Sequence, residues 1–167
     1  MRSSAEIIRQ LLIDLGHAEE SGTDWPVYVS FMPEDSHQCI CVYDTAGNPD
    51  GRLMLGGTRI DHQGIQVQIR GLTYLDVWNK ANDIALEFDT MGQVLIMTDG
   101  GNAYVIHNIS RTGTILSLGV EEKEKQRRHY FSINAVITMP NLEDGELLIA
   151  EDGQFLIVEA GEFLTTG

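Results

Sequence analysis

Basic residues are scarce in this sequence, and their scarcity argues against a simple nucleic-acid-binding protein. The chain carries 11 Lys and Arg against 25 Asp and Glu, which gives a net charge of −14. Proteins bind DNA largely by neutralising its phosphates with Lys and Arg, so a lone subunit this acidic should repel nucleic acid. The same charge can also serve solubility alone, and it therefore assigns no function by itself.

Long apolar runs are also missing. No stretch approaches the roughly 18 apolar residues that a membrane-spanning helix needs. The N-terminal segment has one Arg followed by an amphipathic stretch that contains acids, which is unlike a secretory signal. We therefore expect neither a membrane-spanning helix nor a secretory leader in these residues.

Only two cysteines are present, Cys39 and Cys41. Because they lie two residues apart on a predicted strand, both project to the same face, where a bond between them would be strained. Two thiols alone also do not make a zinc site. The sequence predicts two buried free thiols, as in a protein of the reducing cytosol.

The residues that carry catalysis or bind cofactors form no recognisable pattern. The five histidines are dispersed, and none has a Cys, Asp or second His at metal-ligand spacing. No glycine-rich phosphate loop joins a strand to a helix, no Gly-x-Ser-x-Gly elbow occurs, and paired acids such as Glu19-Glu20 fall in predicted loops. We therefore predict a protein that is not an enzyme and that holds no metal and no cofactor.

Apolar residues are nevertheless plentiful enough for one globular domain, at 43% of 167 residues. In the stretch Gly64–Phe88, every second position from 65 to 69 is apolar, which predicts a strand with one buried face. The positions between them should face water or a partner. These first candidate interface residues are Gln66, Gln68 and Arg70.

An amphipathic helix is predicted directly after this strand. Gly71 breaks the alternation, and Thr73 stands where its hydroxyl can cap the first turn of a helix. Apolar residues then recur at helical spacing on a face that should be buried: Tyr74, Val77, Trp78, Ala81, Ile84, Ala85 and Phe88.

The other predicted elements indicate the same fold class. Ser3 and Glu6 fit a capping box ahead of a first helix that ends at Gly16. Residues 58–61 and 65–70 look like hairpin partners across a turn at 62–64. Further strands are predicted at 27–31, 39–43, 94–97, 104–110, 115–120 and 130–139. The predicted fold is α+β, a mostly antiparallel sheet covered by two helices.

Beyond Pro140 the sequence consists of three aligned eight-residue units, at residues 144–151, 152–159 and 160–167. Each unit fits a short strand, which divides the chain into a domain of residues 1–140 and a C-terminal extension of residues 141–167. The extension carries seven acids and no base. Two architectures are open: a small meander, or an arm that pairs with neighbouring subunits. Exposed strand edges on an acidic tail favour the arm.

A second unusual segment, residues 121–129, mixes three glutamates with four basic residues. It is either the solvated connection of a hairpin or a charged loop that docks on an oppositely charged partner. Its candidate interface residues are Glu121, Lys123, Lys125, Arg127 and Arg128.

The order of four segments resembles a known family. They are CICVYDTAGNPDGRL at residues 39–53, GIQVQIRG with the spaced Tyr, Trp, Ala and Ile after it, YVIHNISRTG-x-ILSLG at 104–119, and RRHYFSINAVITM at 127–139. By their order and spacing, over about residues 3–139, the chain resembles the tail terminator (minor capsid-type) proteins of tailed phages with long non-contractile tails.

The resemblance implies a fold and a role. The fold is a small α/β domain whose helices pack on an antiparallel sheet. Such proteins form rings, commonly hexameric, that cap the tail tube, end its polymerisation and join the tail to the head-neck connector. The implied partners are other copies of the chain, the major tail tube protein and a connector or stopper protein. DNA would pass through the ring without specific binding, at the head-tail junction of a virion assembled in the host cytoplasm.

The resemblance does not reach the three repeats after Pro140, and it leaves two alternatives. The fold is reused among tail proteins, so another neck or tail-completion adaptor is the second interpretation. A stand-alone ligand-binding or enzymatic domain is the third, and the lack of any convergent polar cluster argues against it.

Overall fold

The computed structural model of this chain describes residues 3–22, 24–49, 59–97, 103–123, 126–141, 145–149 and 155–159. The elements are α1 Ser4–Asp14, β1 Val27–Val29, β2 Cys39–Pro49, β3 Arg59–Gly71, α2 Tyr74–Thr90, β4 Val94–Met97, β5 Ala103–Ile106, β6 Asn108–Arg111, β7 Leu116–Lys123, β8 Gln126–Asn141, β9 Gly145–Ile149 and β10 Phe155–Glu159. The predicted α+β class, with two helices and a mostly antiparallel sheet, is confirmed.

Both ends of α1 follow from its sequence. The Ser3 hydroxyl accepts a hydrogen bond from the Glu6 amide at 3.3 Å and so satisfies a free donor of the first turn. At the other end Gly16 has φ +74, a conformation that costs glycine little. It lets the amides of Gly16 and His17 bond back to the carbonyls of Ile13 and Leu12, both at 2.9 Å.

The main sheet is ordered β1-β2-β3-β8-β6, and β7 also pairs with β8. All of its pairs are antiparallel except β1 with β2. The long strand β8 has β3 along one edge, while β6 and β7 occupy successive parts of the other edge. The last residue of β3 lies opposite His129 of β8. From there toward the start of β8, the β7–β8 hairpin continues without β3.

The predicted hairpin across residues 62–64 is wrong, because residues 59–71 form one continuous strand. Gly64 serves close packing and not a turn. A Cβ added there would collide with the Ala46 carbonyl oxygen and the Thr45 hydroxyl, next to the register shift between Thr45 and Asn48. The glycine therefore lets β2 bulge against β3. Among the residues that the structure describes, three strands, and not four, precede α2.

One hydrophobic core lies between the sheet and the two helices, which share the same face of the sheet. Ile65, Val67 and Ile69 are fully buried, as the alternation predicts. Thr73 caps α2 by accepting from the Asp76 amide at 3.3 Å. The helix buries Val77, Ala81, Ile84, Ala85 and Phe88.

Two residues of the predicted buried face of α2 are instead on the surface. Tyr74 is 50% exposed and Trp78 is 37% exposed. Both pack their rings against Phe131 of β8. Helical spacing places them on the apolar face, but the sheet beneath them ends at β7, and no strand in the described ranges lies beyond it.

The predicted single strand at residues 104–110 is also wrong. The His107 amide bonds to the Thr138 carbonyl at 2.9 Å, and the chain changes partners at this point. β5 before it pairs with β4 in a separate two-stranded sheet, whereas β6 after it pairs with β8. No glycine or proline marks the break, so the sequence does not reveal it.

The first two C-terminal repeats contain β9 and β10, which pair antiparallel with Phe155 opposite Ile149. These two strands form their own sheet and pair with no other strand in the described ranges. The third repeat, residues 160–167, lies outside the described residues.

Candidate interaction surfaces

The face of the sheet opposite the helices is partly covered by the loop that follows β1. Arg70 and Arg128 hold this loop from below. The Arg70 guanidinium donates to the carbonyls of Pro33 and Ser36, and Arg128 Nη1 donates to the Glu34 carbonyl at 2.7 Å. The two arginines are only 3% and 4% exposed.

The expectation that Arg70 faces water or a partner is therefore wrong, and Arg128 is likewise withdrawn into the subunit. The alternation correctly gives the face of the sheet on which Arg70 lies. It does not reveal the loop that covers that face, because the contacts run to main-chain carbonyls more than thirty positions away. Both arginines position the loop and are not available to another protein.

Cys39 and Cys41 lie under the same loop as buried free thiols, which confirms that prediction. The Cys41 thiol donates to the Phe31 carbonyl at 3.2 Å. Burial raises the pKa of both thiols, and the nearby Arg70 guanidinium only partly offsets this effect.

We expect these thiols to make the protein less stable in alkaline solution. Because folding raises their pKa above the ordinary value of 9.0, the unfolded chain loses the two protons first as the pH rises. The free energy of unfolding should be insensitive to these thiols below about pH 9 and should fall above it. Urea unfolding at a series of pH values measures this, and the Cys39→Ala, Cys41→Ala double variant should show a smaller decline between pH 9 and 10. An equal decline in the free energy of unfolding of both proteins would show that these thiols do not cause the loss of stability.

The uncovered part of this face carries a ladder of amide side chains. Gln68 Nε2 donates to Gln66 Oε1 at 2.9 Å, and Gln66 Nε2 donates to Asn134 Oδ1 at 3.1 Å. All three side chains are half-buried and face away from the helices. Gln66 and Gln68 are thus placed on an open polar surface, as the alternation predicts.

The charged segment 121–129 is mostly strand and not a loop. It forms the end of the β7–β8 hairpin, with Glu121 opposite Arg128, Glu122 opposite Arg127 and Lys123 opposite Gln126. Glu121, Glu122 and Arg127 are exposed, and the Tyr130 hydroxyl donates to the Glu121 carboxylate. Lys125 lies outside the described residues. Two glutamates thus stand opposite two arginines in the register of this hairpin.

A third surface is apolar. Eleven large apolar side chains are exposed in the described ranges, and seven of them lie at the start of α2 or on the edge strand β7. We call this the apolar corner: Leu72, Tyr74, Leu75 and Trp78 at the start of α2, with Leu116, Leu118 and Val120 on β7.

Aromatic contacts to β8 join the two halves of the apolar corner. The Tyr74 ring meets His129 at 5.9 Å and Phe131 at 5.2 Å, and the Trp78 ring meets Phe131 at 5.6 Å, all edge to face. Val120 lies directly opposite His129 in the β7–β8 register. The flank of α2 and Val120 of β7 therefore form a step on the helix side of the sheet, whereas Leu116, opposite Ser132, lies on the other side.

The outer edge of β7 is free. In the described part of the chain β7 pairs only with β8, and every residue from Leu116 to Glu122 is exposed. An unpaired strand with apolar side chains is a site where another strand can add. The sequence gives no direct signal for this edge, because pairing partners are not encoded locally.

Polar side chains also line a cleft where α1 meets β2 and β3. Asp44 Oδ1 accepts from the Ala5 amide at 2.9 Å and so holds the start of α1, while His62 Nδ1 lies 3.0 Å from Thr138 Oγ1 of β8. His62 thus lies within β3 and not in a turn. No group of three His, Cys, Asp or Glu side chains that could hold a metal ion occurs in the ranges that the structure describes.

No helix among the described residues is both long enough and apolar enough to cross a membrane. A search of curated proteins finds no match to the chain. A family model described as bacteriophage tail terminator protein matches residues 11–139. The match takes in 129 of 167 residues, from within α1 to near the end of β8. On this evidence the chain belongs to the bacteriophage tail terminator protein family.

Proposed function

We propose that this protein forms a ring that caps the phage tail tube, ends tube polymerisation and joins the tail to the head-neck connector. Family membership gives the general role on which this more specific proposal builds. The chain is a structural component of the phage virion, it interacts with other tail or head proteins, and its family is not typically enzymatic.

The apolar corner is the observation that carries the proposal of a ring. Seven large apolar side chains, at the start of α2 and on both faces of the free edge strand β7, are ones that a monomer would leave in water. A closed ring of identical subunits needs two different complementary patches on each subunit. The apolar corner is one of them, and the ring, which we take to be hexameric, buries it at every junction.

The remaining exposed surfaces are available for contacts with the partners that meet the two faces of the ring. We assign the open amide ladder of Gln66 and Gln68, and the charged residues Glu121, Lys123, Lys125 and Arg127, to contacts with neighbouring subunits, the major tail tube protein or the connector protein. Charge complementarity in such contacts selects the partner and its register. Arg70 and Arg128 take no part, because they are buried.

DNA would pass through this ring at the head-tail junction without specific binding. Each subunit carries a net charge of −14, and the basic residues Arg70 and Arg128 are withdrawn from the surface. An acidic channel wall repels the phosphate backbone and lets it slide.

Arrest of tube growth tests the proposal. Purified protein is added to tail tubes that are elongating from the major tail tube protein, and tube lengths are measured by electron microscopy. We expect elongation to stop soon after addition, with the protein at one end of each tube. Bovine serum albumin at the same concentration controls for crowding.

The same assay separates the alternatives. Another neck or tail-completion adaptor of the same fold would bind tubes or connectors without stopping elongation. A stand-alone ligand-binding domain would neither bind the tubes nor stop them, and either result would contradict the proposed role.

A further inference from the structure

The C-terminal hairpin β9–β10 has no sheet to join within its own described chain. Its strands read GELLI and FLIVE, which are mostly apolar, and they pair only with each other. A lone two-stranded hairpin is marginally stable in water, so these strands need a further surface to be stable. The family match ends at residue 139, before this hairpin begins, and assigns it no role.

The hairpin cannot lie along the whole free edge of β7 in the same subunit. Leu116 and Val120 lie opposite Ser132 and His129, nine and twelve residues before the end of β8 at Asn141, which is about 30 and 40 Å along the strand. The chain from Asn141 to Gly145 spans at most about 14 Å, and a five-residue strand adds about 17 Å. β9 can therefore at most touch Leu116 and cannot pair along Leu116–Val120 of its own subunit.

We propose that the β9–β10 hairpin of one copy adds as a strand pair to the free edge of β7 in the neighbouring copy, against the apolar corner. This inference rests on the proposed ring. Each subunit then gives a hairpin at one end and receives one at the other, which is the heterologous contact that a ring requires. Strand addition supplies main-chain hydrogen bonds along the edge, and side chains that fit the step supply specificity.

The lengths of the two partners agree. The segment Leu116–Val120 of β7 is five residues long, with apolar side chains at its first, third and fifth positions and a register shift between Ser117 and Gly119, and β9 and β10 are five residues each. The acids Glu121 and Glu122 follow this segment in β7. They discourage pairing of the acidic extension beyond Val120, because like charges on adjacent strands repel. The apolar run and the acids after it together set the register.

Cross-linking between differently substituted full-length chains tests the proposal. One chain carries Val120→Cys and the other carries Ile157→Cys in β10, and a short bismaleimide is added to assembled mixtures. The native thiols of Cys39 and Cys41 are fully buried and should not react in the folded protein. We expect a covalent dimer containing one chain of each kind in the mixture, and none from either chain alone.

Met97→Cys mixed with Ile157→Cys is the matched control, because Met97 is 52% exposed, close to the 54% of Val120, but lies on β4. Rings verified by mass that yield no Val120–Ile157 product would overturn the hairpin contact and leave the proposed ring standing. A chain that neither forms rings nor stops tube growth would overturn both.

Hydrogen exchange gives a second, independent readout of strand addition. In rings, amides of Leu116–Val120 should exchange at least about tenfold more slowly than in the full-length Leu148→Pro variant, whose β9 cannot keep its pairing. Amides of β3 should exchange equally in both proteins, which shows that the domain itself is intact. Equal protection of β7 in the two proteins would contradict the proposal.

Discussion

A Leu75→Arg variant should fold normally and fail to form rings at concentrations where the unchanged protein assembles. Leu75 is 66% exposed, the highest value among the large apolar side chains that the structure describes, so the subunit gains almost nothing from its burial. We expect the free energy of unfolding to change by no more than about 0.5 kcal/mol. In the ring, the arginine would place an unpaired charge at the apolar corner beside Trp78.

The expected loss of affinity is large because apolar anchors dominate subunit interfaces. A loss of at least about 2 kcal/mol corresponds to a roughly 30-fold weaker association. Sedimentation velocity over a concentration series measures it. Met97→Arg, at a similarly exposed position on β4, is the control and should assemble like the unchanged protein. If Leu75→Arg assembles as well as this control, the apolar corner is not the subunit interface.

Replacing Phe131 by Ala should lower the free energy of unfolding by about 3–5 kcal/mol, the largest stability effect that we expect. Phe131 is 1% exposed, and its ring contacts Tyr74 and Trp78 edge to face while its strand neighbour Ile69 lies beside it. The substitution leaves a cavity under α2 and removes the support of both aromatic residues.

Urea unfolding of the purified variant measures this change, with the transition midpoint and its slope compared with those of the unchanged protein. Phe31→Ala makes the same chemical change at a side chain that is 64% exposed, and it should cost less than about 1 kcal/mol. If the two variants lose similar stability, the core does not depend on Phe131 as the packing indicates.

Local signals in the sequence predict the scaffold well. Alternation places Ile65, Val67 and Ile69 in the core, and the hydroxyls of Ser3 and Thr73 cap the two helices as expected. These features depend on residues within a few positions of one another, so a single sequence contains them. The predicted free thiols follow from the same alternation.

Features that depend on distant partners are not available from the sequence. Gly64 looks like a turn residue, and only the approach of Ala46 from another strand shows that it is needed for close packing. Arg70 lies on the predicted face, but a loop covers it. Trp78 has the spacing of a core residue, and it is exposed because the sheet ends beneath it.

The candidate interaction surfaces show the same difference between features set by neighbouring residues and features set by distant ones. Gln66 and Gln68 are on an open face as predicted, and Glu121 and Arg127 are exposed on strands of a hairpin that the sequence suggests only in part. The apolar corner was missed because its two halves are about forty positions apart and meet only through His129 and Phe131. The one signal in the sequence that could have indicated this corner is the apolar face of α2, which is wider than the sheet that supports it.

An electron cryomicroscopy reconstruction of the intact phage neck tests the central claim most directly. We expect a ring of this chain at the head-proximal end of the tail tube, with Leu75, Trp78 and the edge of β7 buried between neighbouring subunits. A reconstruction in which the chain is absent from that position, or in which the apolar corner remains open to solvent, would contradict the account.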